Sequence, residues 1–215
     1  MSNSELRARA RAQLGNGIFS NSWMLALLVS LIQTAILSVL AGTAIGTIIL
    51  LGPLSFGVCY CYLKQARNPE PMNIGDMFKG VTEDFARTFF IGLMTTIFIV
   101  LWSLLFVIPG IIAALSYSMA FYIAIDNPNL GWYDCIKASK VMMKGHKMDL
   151  LFLDLSFIGW YIVGALCFGF GTFWVTAYFD AAHAQFYNEV SKGYVIHKKE
   201  TVYANYTVEE EEKEI

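Results

Sequence analysis

Three ionisable side chains fall inside long apolar stretches of this 215-residue chain: Asp154, Asp180 and His183. Charge at the centre of a bilayer costs about 2.5–3.5 kcal/mol or more, so residues of this kind are functional candidates by default. Asp180 and His183 stand at i, i+3, on one face of a helix, where a D-x-x-H pair can relay a proton or contribute to a metal site. A metal needs three or four ligands and no second acid-x-x-His pair in that order accompanies this one, so structural pairing or hydration near an interface is the expectation, with no metal and no cofactor. Asp154 is expected to meet a Tyr or Ser hydroxyl inside the bundle, because Lys147, seven residues away, would have to extend across two turns. Tyr60, Tyr117, Tyr122 and Tyr178 either supply such hydroxyls or anchor the chain at the interfaces. Asp154, Tyr178, Asp180 and His183 together make the candidate intramembrane polar site.

The motifs of common reactions are missing. There is no G-x-S-x-G, P-loop, H-E-x-x-H or G-x-G-x-x-G in the chain, so no residue is assigned a catalytic role. His146 and His197 are solitary and expected to be solvated. The four cysteines, Cys59, Cys61, Cys135 and Cys167, form no C-x-x-C pair and read as small apolar fillers. A net charge of -2 excludes the basic excess of a nucleic-acid binder.

The elements that must hold these residues are membrane spans. The chain is 56% hydrophobic and 15% charged, with mean hydropathy +0.52, which indicates a polytopic membrane protein. From Thr88 to Ile125 there are 38 residues without Asp, Glu, Lys or Arg. One helix of that length would reach roughly 57 Å, nearly twice the hydrocarbon core, so the run is expected to turn at Pro109-Gly110. The uncharged stretch from Ala12 to Leu63 is far longer than a signal-peptide core, so the first span is expected to be retained. The expected spans are 23–41, 52–63, 88–107, 109–125, 148–168 and 171–190. The fold class is thus all-α: a polytopic bundle of six transmembrane helices in three hairpins, about 23–63, 88–125 and 148–190, within one integral membrane domain, 1–190.

Charge gives the orientation. Arg7, Arg9 and Arg11 precede the first span; Lys64, Arg67, Lys79 and Arg87 lie between the second and third; Lys137, Lys140, Lys144 and Lys147 lie between the fourth and fifth; Lys192, Lys198, Lys199 and Lys213 follow the sixth. The three opposite turns carry none. By the positive-inside rule both termini are cytoplasmic. The tail 191–215 ends in an acidic run and is expected to be a mobile cytoplasmic segment.

Each hairpin places Pro or Gly at its turn and Tyr seven residues later: Pro53 with Tyr60, Gly110 with Tyr117, Gly171 with Tyr178. A helical segment precedes each, at about 4–14, 73–86 and 128–145, consistent with a threefold repeat of interfacial helix plus hairpin. In the last, Asn127-Pro128 suits a helix start and Gly145 a stop. Trp132, Cys135, Ile136, Ser139 and Met143 follow one face; Lys137, Lys140, Lys144 and Lys147 follow another and are the candidate contacts to anionic lipid. Gly42, Gly46, Gly57, Gly159 and Gly164 are expected to permit close helix packing.

The block IPGIIAALSYSMAFYIAIDNPNLGWYDCIKASKVMMKGHK followed by DLSFIGW resembles the bacterial domain-of-unknown-function family 975. The resemblance is carried by Pro109-Gly110-Ile111, Ser116-Tyr117-Ser118-Met119, Asp126-Asn127-Pro128, Met143-Lys144-Gly145-His146-Lys147 and Leu155-Ser156-Phe157-Ile158-Gly159-Trp160, with Gly52-Pro53-Leu54 earlier. It implies a multi-pass bacterial plasma-membrane protein and no established reaction. A fainter likeness links such hairpins to the membrane part of some glycerophosphodiester phosphodiesterases, whose catalytic domain this sequence lacks. Two functional readings follow. The first is a non-catalytic scaffold or lipid- and partner-binding module, engaging membrane lipids, a membrane-protein partner or a second copy, and no nucleic acid. The second is a small transporter or lipid-handling carrier using the polar intramembrane site.

Overall fold

Long apolar runs with few breakers leave the backbone one economical way to satisfy its N–H and C=O groups in lipid, which is the helix. The computed structural model describes residues 3–15, 20–40, 42, 44–68, 71–166, 170–192 and 194, and among these the chain is all-α with no strand. The long helices are α1 (Asn3–Leu14), α2 (Asn21–Leu40), α3 (Ala44–Arg67), α5 (Phe85–Leu105), α9 (Lys147–Leu166) and α10 (Phe170–Ser191). Between them stand the one-turn α4 (Lys79–Thr82), preceded by a 3-10 turn (Ile74–Phe78), and α6 (Val107–Tyr117), α7 (Ala120–Asp126) and α8 (Trp132–Met142). The tail beyond 194 and Cys167 lie outside the described residues.

Among the described residues, five segments are long and apolar enough to cross a membrane: Asn21–Leu40, Gly46–Arg67, Phe85–Leu105, Val107–Asp126 and Lys147–Leu166. Their outer faces carry bare apolar side chains, with Val39, Leu104 and Leu166 each more than three-quarters exposed, as suits contact with acyl chains. α3 and the segment 107–126 are the more enclosed; α2, α5 and α9 expose most of their length. α10 packs against α1, α2, α3 and α9. Its buried face is built from Ala177, Ala181, Ala182 and Ala184, small residues that let neighbouring backbones approach, and this shielding from lipid lets it carry Asp180, His183 and Glu189.

Several boundaries differ from those read in the sequence. Pro53 sits inside α3 and not at a turn, because the apolar run 44–51 continues the helix on its N-terminal side. The break between α5 and α6 falls at Phe106, whose extended backbone (φ -159°, ψ 149°) ends one helix and caps the next. Pro109 then occupies the first turn of α6, as its missing N–H favours. Gly110 serves close packing there: a Cβ on it would strike Ser103. The segment expected as one helix over 73–86 divides into the 3-10 turn and α4, and α5 begins already at Phe85. Asn127 ends α7, its Nδ2 donating to the Ile123 carbonyl at 3.1 Å, and α8 starts only at Trp132. Arg87 explains that delay, since its Nη1 donates to the carbonyls of Asn127 and Pro128 at 3.1 and 2.6 Å and holds the link extended. α8 ends at Met142 with Met143 as its C-cap, so Gly145, expected as the stop, falls in the turn beyond the helix, in a left-handed conformation (φ 86°).

Burial of apolar surface does not drive helices together in lipid, so backbone contact and hydrogen bonds carry the packing. Gly57 backs onto the Met77 carbonyl, Gly52 onto Thr88 and Gly92 of α5, and Gly164 onto Gly171. A methyl on Gly42 or Gly159 would meet nothing within 4 Å, so these two take no part in such packing. The interruption between α6 and α7 is closed by α8: Ser139, fully buried, accepts from the Met119 amide at 3.2 Å and donates to the Ser116 carbonyl at 2.9 Å.

Candidate functional site

Asp154 lies two turns into α9 and His183 near the middle of the C-terminal half of α10. These helices pack along each other, and His183 Nε2 stands 2.7 Å from Asp154 Oδ1. The side chains are 14% and 30% exposed, so the pair is partly enclosed. The Phe179 ring lies 4.2 Å from the imidazole and restricts its orientation. The partner expected for His183 on its own helix, Asp180, is therefore not its hydrogen-bond partner, and Asp154 bonds to a histidine and not to a Tyr or Ser hydroxyl. Cross-helix pairing won because α9 brings a carboxylate into line with the ring; Asp180 stands within electrostatic reach of Cys59, Tyr62, Tyr122 and Tyr161, on α3, α7 and α9.

Tyr178 departs from this group. Its hydroxyl donates to the Arg7 carbonyl at 3.0 Å, on α1, while its ring stands edge-on to Phe157 with centroids 4.9 Å apart. α1 is held along α10 by two further contacts and against α3 by a third. Arg9 pairs with Glu189 at 3.0 Å, Gln185 donates to Gln13 at 2.9 Å, and Gln13 donates to the Tyr62 carbonyl at 2.9 Å. Leu6, Ala10 and Leu14 form the buried stripe of α1, at the i, i+4, i+8 spacing of one helical face.

A second cluster escapes sequence reasoning. Asp126, at the end of α7, receives Arg67 Nη1 and Nη2 at 2.6 and 2.8 Å and the Tyr187 hydroxyl at 2.7 Å. Arg67 Nε also donates to Asn188 at 2.9 Å. One guanidinium thus joins the charged ends of α3, α7 and α10 in the fork geometry that arginine suits. In sequence these residues are 59 and 61 apart, and Asp126 beside Asn127-Pro128 reads only as a helix boundary. Lys64 and Asp76 form a comparable tie at 2.7 Å, with Asp76 8% exposed. Lys79 donates to the Tyr60 hydroxyl at 3.0 Å, which holds its ammonium above the ordinary lysine value.

Of the lysines proposed from sequence as lipid contacts, Lys137 and Lys140 lie on α8, Lys144 in the turn after it and Lys147 at the start of α9. Lys140 and Lys144 are exposed, Lys137 and Lys147 partly so, and Lys137 Nζ sits 4.6 Å above the Tyr133 ring. The apolar face of α8, with Cys135, Ile136 and Met143, is buried against α5, α6 and α7. Burial pushes the Cys135 thiol up to about 11. Among the described residues no group of three or more His, Cys, Asp or Glu could hold a metal. An apolar groove of about 340 Å³ lies between α3 and α5, lined by Ile48, Leu51, Leu93, Val100 and Leu104, and the hydroxyl in its lining, that of Thr96, donates to the Gly92 carbonyl of its own helix at 2.7 Å.

Residues 104–193 match the family model described as "Protein of unknown function (DUF975)". The resemblance read from the central block holds over that segment, and the likeness to glycerophosphodiester phosphodiesterases has no counterpart in it. Comparison with curated proteins and with solved structures gives no match.

Proposed function

We propose that this chain is a six-span bacterial plasma-membrane protein, its spans arranged as three hairpins with both termini cytoplasmic, that acts as a non-catalytic scaffold or lipid- and partner-binding module. The observation that carries this reading is the one-sided distribution of charge. Arg7 to Arg11, Lys64 and Arg67, Lys79 and Arg87, Lys137 to Lys147 and Lys192 all belong to one set of helix ends, and the links at 41–43, at Phe106 and at 167–169 hold no charged residue. α10 supplies the sixth span: its 22 residues reach about 33 Å, and its polar side chains face protein. Lys137, Lys140, Lys144 and Lys147 then lie level with anionic headgroups, each contributing about 1 kcal/mol of attraction.

The experiment is native mass spectrometry of protein extracted gently from its own membranes, comparing wild type with a variant carrying Lys137→Gln, Lys140→Gln and Lys144→Gln. Retained anionic lipid that falls away in the variant supports the module reading. Equal retention in both removes these lysines from lipid binding. The topology is tested by labelling single cysteines at Ser4 and Phe106 in intact cells with an impermeant maleimide; reaction at Ser4 and protection at Phe106 would overturn it.

A carrier is the second reading, favoured by the Asp154–His183 pair between α9 and α10 and by the Asp180 carboxyl one turn away. Structural pairing explains the first of these; it does not explain Asp180.

A further inference from the structure

Among the described residues three buried side-chain nitrogens have no hydrogen-bond partner: Arg7 Nε, Arg87 Nε and Trp174 Nε1. They are not equivalent. Trp174 is neutral, and Arg87 has its Nη nitrogens on Asp84 and on the carbonyls of Ala124, Asn127, Pro128 and Leu130. The Arg7 guanidinium makes neither a hydrogen bond nor an ion pair with any described residue. A half-buried cation in that state is costly, because enclosure removes water and supplies no acceptor.

α1 fixes where this side chain stands. Leu6, Ala10 and Leu14 make its buried stripe. At about 100° per residue, Arg9 and Gln13 fall on one flank of that stripe, and Arg7 and Arg11 on the other. The first flank is satisfied: Arg9 pairs with Glu189 at 3.0 Å, and Gln13 donates to the Tyr62 carbonyl and accepts from Gln185, each at 2.9 Å. On the second, the Tyr178 hydroxyl donates to the Arg7 carbonyl at 3.0 Å. That carbonyl also takes the Arg11 amide one helical turn on, so Tyr178 stands between the two arginines, and its oxygen is within reach of the Arg11 guanidinium.

No carboxylate of a described residue lies within ion-pair distance of Arg7 or Arg11. The acids on the helices packed against α1 are engaged or turned away. Glu189 has Arg9 and Lys192, Asp154 has His183, and Asp149 has His146. Asp180 is two residues from Tyr178 and Glu5 two from Arg7, each about 200° away round its own helix. α2 and α3 contain no acid. The counter-charge for two guanidiniums therefore comes from outside this group of helices.

We infer that Arg7 and Arg11 form a binding site for the phosphate of an anionic membrane lipid, an inference that rests on the lipid-binding reading and gives it a second contact, separate from the lysines of α8. Depth favours a lipid over a soluble anion. The Tyr178 ring lies 6.3 Å from that of Trp23, the third residue of α2, and 4.9 Å from that of Phe157 on α9, and Trp and Tyr at the start of a span mark the headgroup level. α2 and α9, which carry those two rings, expose most of their length, so acyl chains have lateral access. The chemistry fits a phosphate. Enclosure of Nε holds the Arg7 guanidinium in place while its Nη nitrogens stay open, and its planar fork matches two phosphate oxygens. Arg11 adds the second charge, which calls for a headgroup that carries no ammonium of its own.

The test is titration of the delipidated full chain in mixed micelles with dioleoyl phosphatidylglycerol, dioleoyl phosphatidylcholine or glycerol 3-phosphate, read by native mass spectrometry and by melting temperature. Phosphatidylglycerol is expected to bind in discrete steps and to raise the melting temperature. One step is expected to weaken at least tenfold when Arg7→Gln and Arg11→Gln are combined and to be unchanged by Arg9→Gln, with the other two probes at least tenfold weaker on wild type. Arg7→Gln alone breaks no bond, so it should melt no lower than wild type without lipid, and it is the variant to use should the double one fail to fold. Equal binding by wild type and the arginine variants overturns the site; the module reading then stands if the Lys137, Lys140 and Lys144 variant loses the lipid, and falls with it if that variant does not. An equal loss in Arg9→Gln assigns the effect to the net charge of α1 and also overturns the site. Glycerol 3-phosphate binding as tightly as the lipid overturns the lipid as the source of the phosphate. Lipid binding that appears only after removal of the acidic run 209–214 identifies that run as the occupant and overturns the lipid assignment.

Discussion

His183 Nε2 lies 2.7 Å from Asp154 Oδ1, so the imidazole that stands three residues from Asp180 on α10 is engaged by the neighbouring helix. The consequence is a division of labour: one carboxylate ties α9 to α10, and the other, Asp180, finds no hydrogen-bond partner among the described residues. A charge-assisted bond of this kind is worth about 1.5–3 kcal/mol when its partners are enclosed, and less at the 30% exposure of Asp154. A double-mutant cycle with Asp154→Ala and His183→Ala, read by unfolding in mixed micelles, is expected to give a coupling of about 1 kcal/mol, whereas Asp180→Ala with His183→Ala gives little. Zero coupling for the first pair would remove the tie.

The Arg67–Asp126 fork makes a different demand, because it depends on shape as well as charge. Arg67→Ala is expected to lower stability by about 1–2 kcal/mol, leaving Asp126 with the Tyr187 hydroxyl alone. Arg67→Lys keeps the charge but loses the two parallel bonds and the Asn188 contact, so it should recover less than half of the loss. Thermal melts of the purified protein decide this; full recovery by lysine means that the fork geometry contributes nothing.

Much of this architecture was legible in the residues. Charge-free runs marked the helices, while Gly145, read as the stop of α8, lies three residues past its end at Met142, in a turn whose φ near 86° suits glycine. Pro53 misled because a proline inside a helix and a proline at a turn look alike when both flanks are apolar. The amphipathic pattern of α8 was readable as well, but a buried apolar stripe does not say whether lipid or protein covers it. The Asp126 cluster and the choice of Asp154 over Asp180 were not readable, since pairing across helices depends on axial register, which no local spacing encodes.

Ser139 is the hinge point of α8 on the bundle. It replaces, with one hydroxyl, the backbone bonds that α6 and α7 lose at residues 118–119. Ser139→Ala leaves the Met119 amide and the Ser116 carbonyl buried together, at a cost of about 1–3 kcal/mol. Amide hydrogen exchange should show faster exchange confined at first to 116–120 and α8. An unchanged exchange profile means that the break is held closed by apolar packing alone.

Cys135 gives a chemical readout of the same packing. With its thiol pushed up to about 11 by burial, the thiolate is the minor form throughout the neutral range, and the stability that the neutral thiol contributes is full below the ordinary thiol value of 9.0 and is lost as pH rises from there through about 11. In a variant whose other cysteines are serine, maleimide at pH 7.5 is expected to label Cys135 at least 100-fold more slowly than a cysteine placed at exposed Lys140, and equally fast once SDS unfolds the protein. Fast labelling in the folded state would show α8 detached from the bundle.

Two glycines separate packing from propensity. A methyl on Gly57 would run into the Met77 carbonyl, which is backbone and has no rotamer by which to retreat, so Gly57→Ala must push the 3-10 turn away from α3. The cost is about 1–3 kcal/mol, the range for overpacking, less the gain of up to about 1 kcal/mol in helix propensity. Gly159→Ala meets nothing within 4 Å, so the propensity gain stands alone and the variant should be neutral or slightly more stable. Opposite signs in paired melts are expected. A neutral Gly57→Ala would mean that the 74–78 turn is not seated on α3 in the membrane, and with it the close approach that places Lys64 against Asp76 would fail.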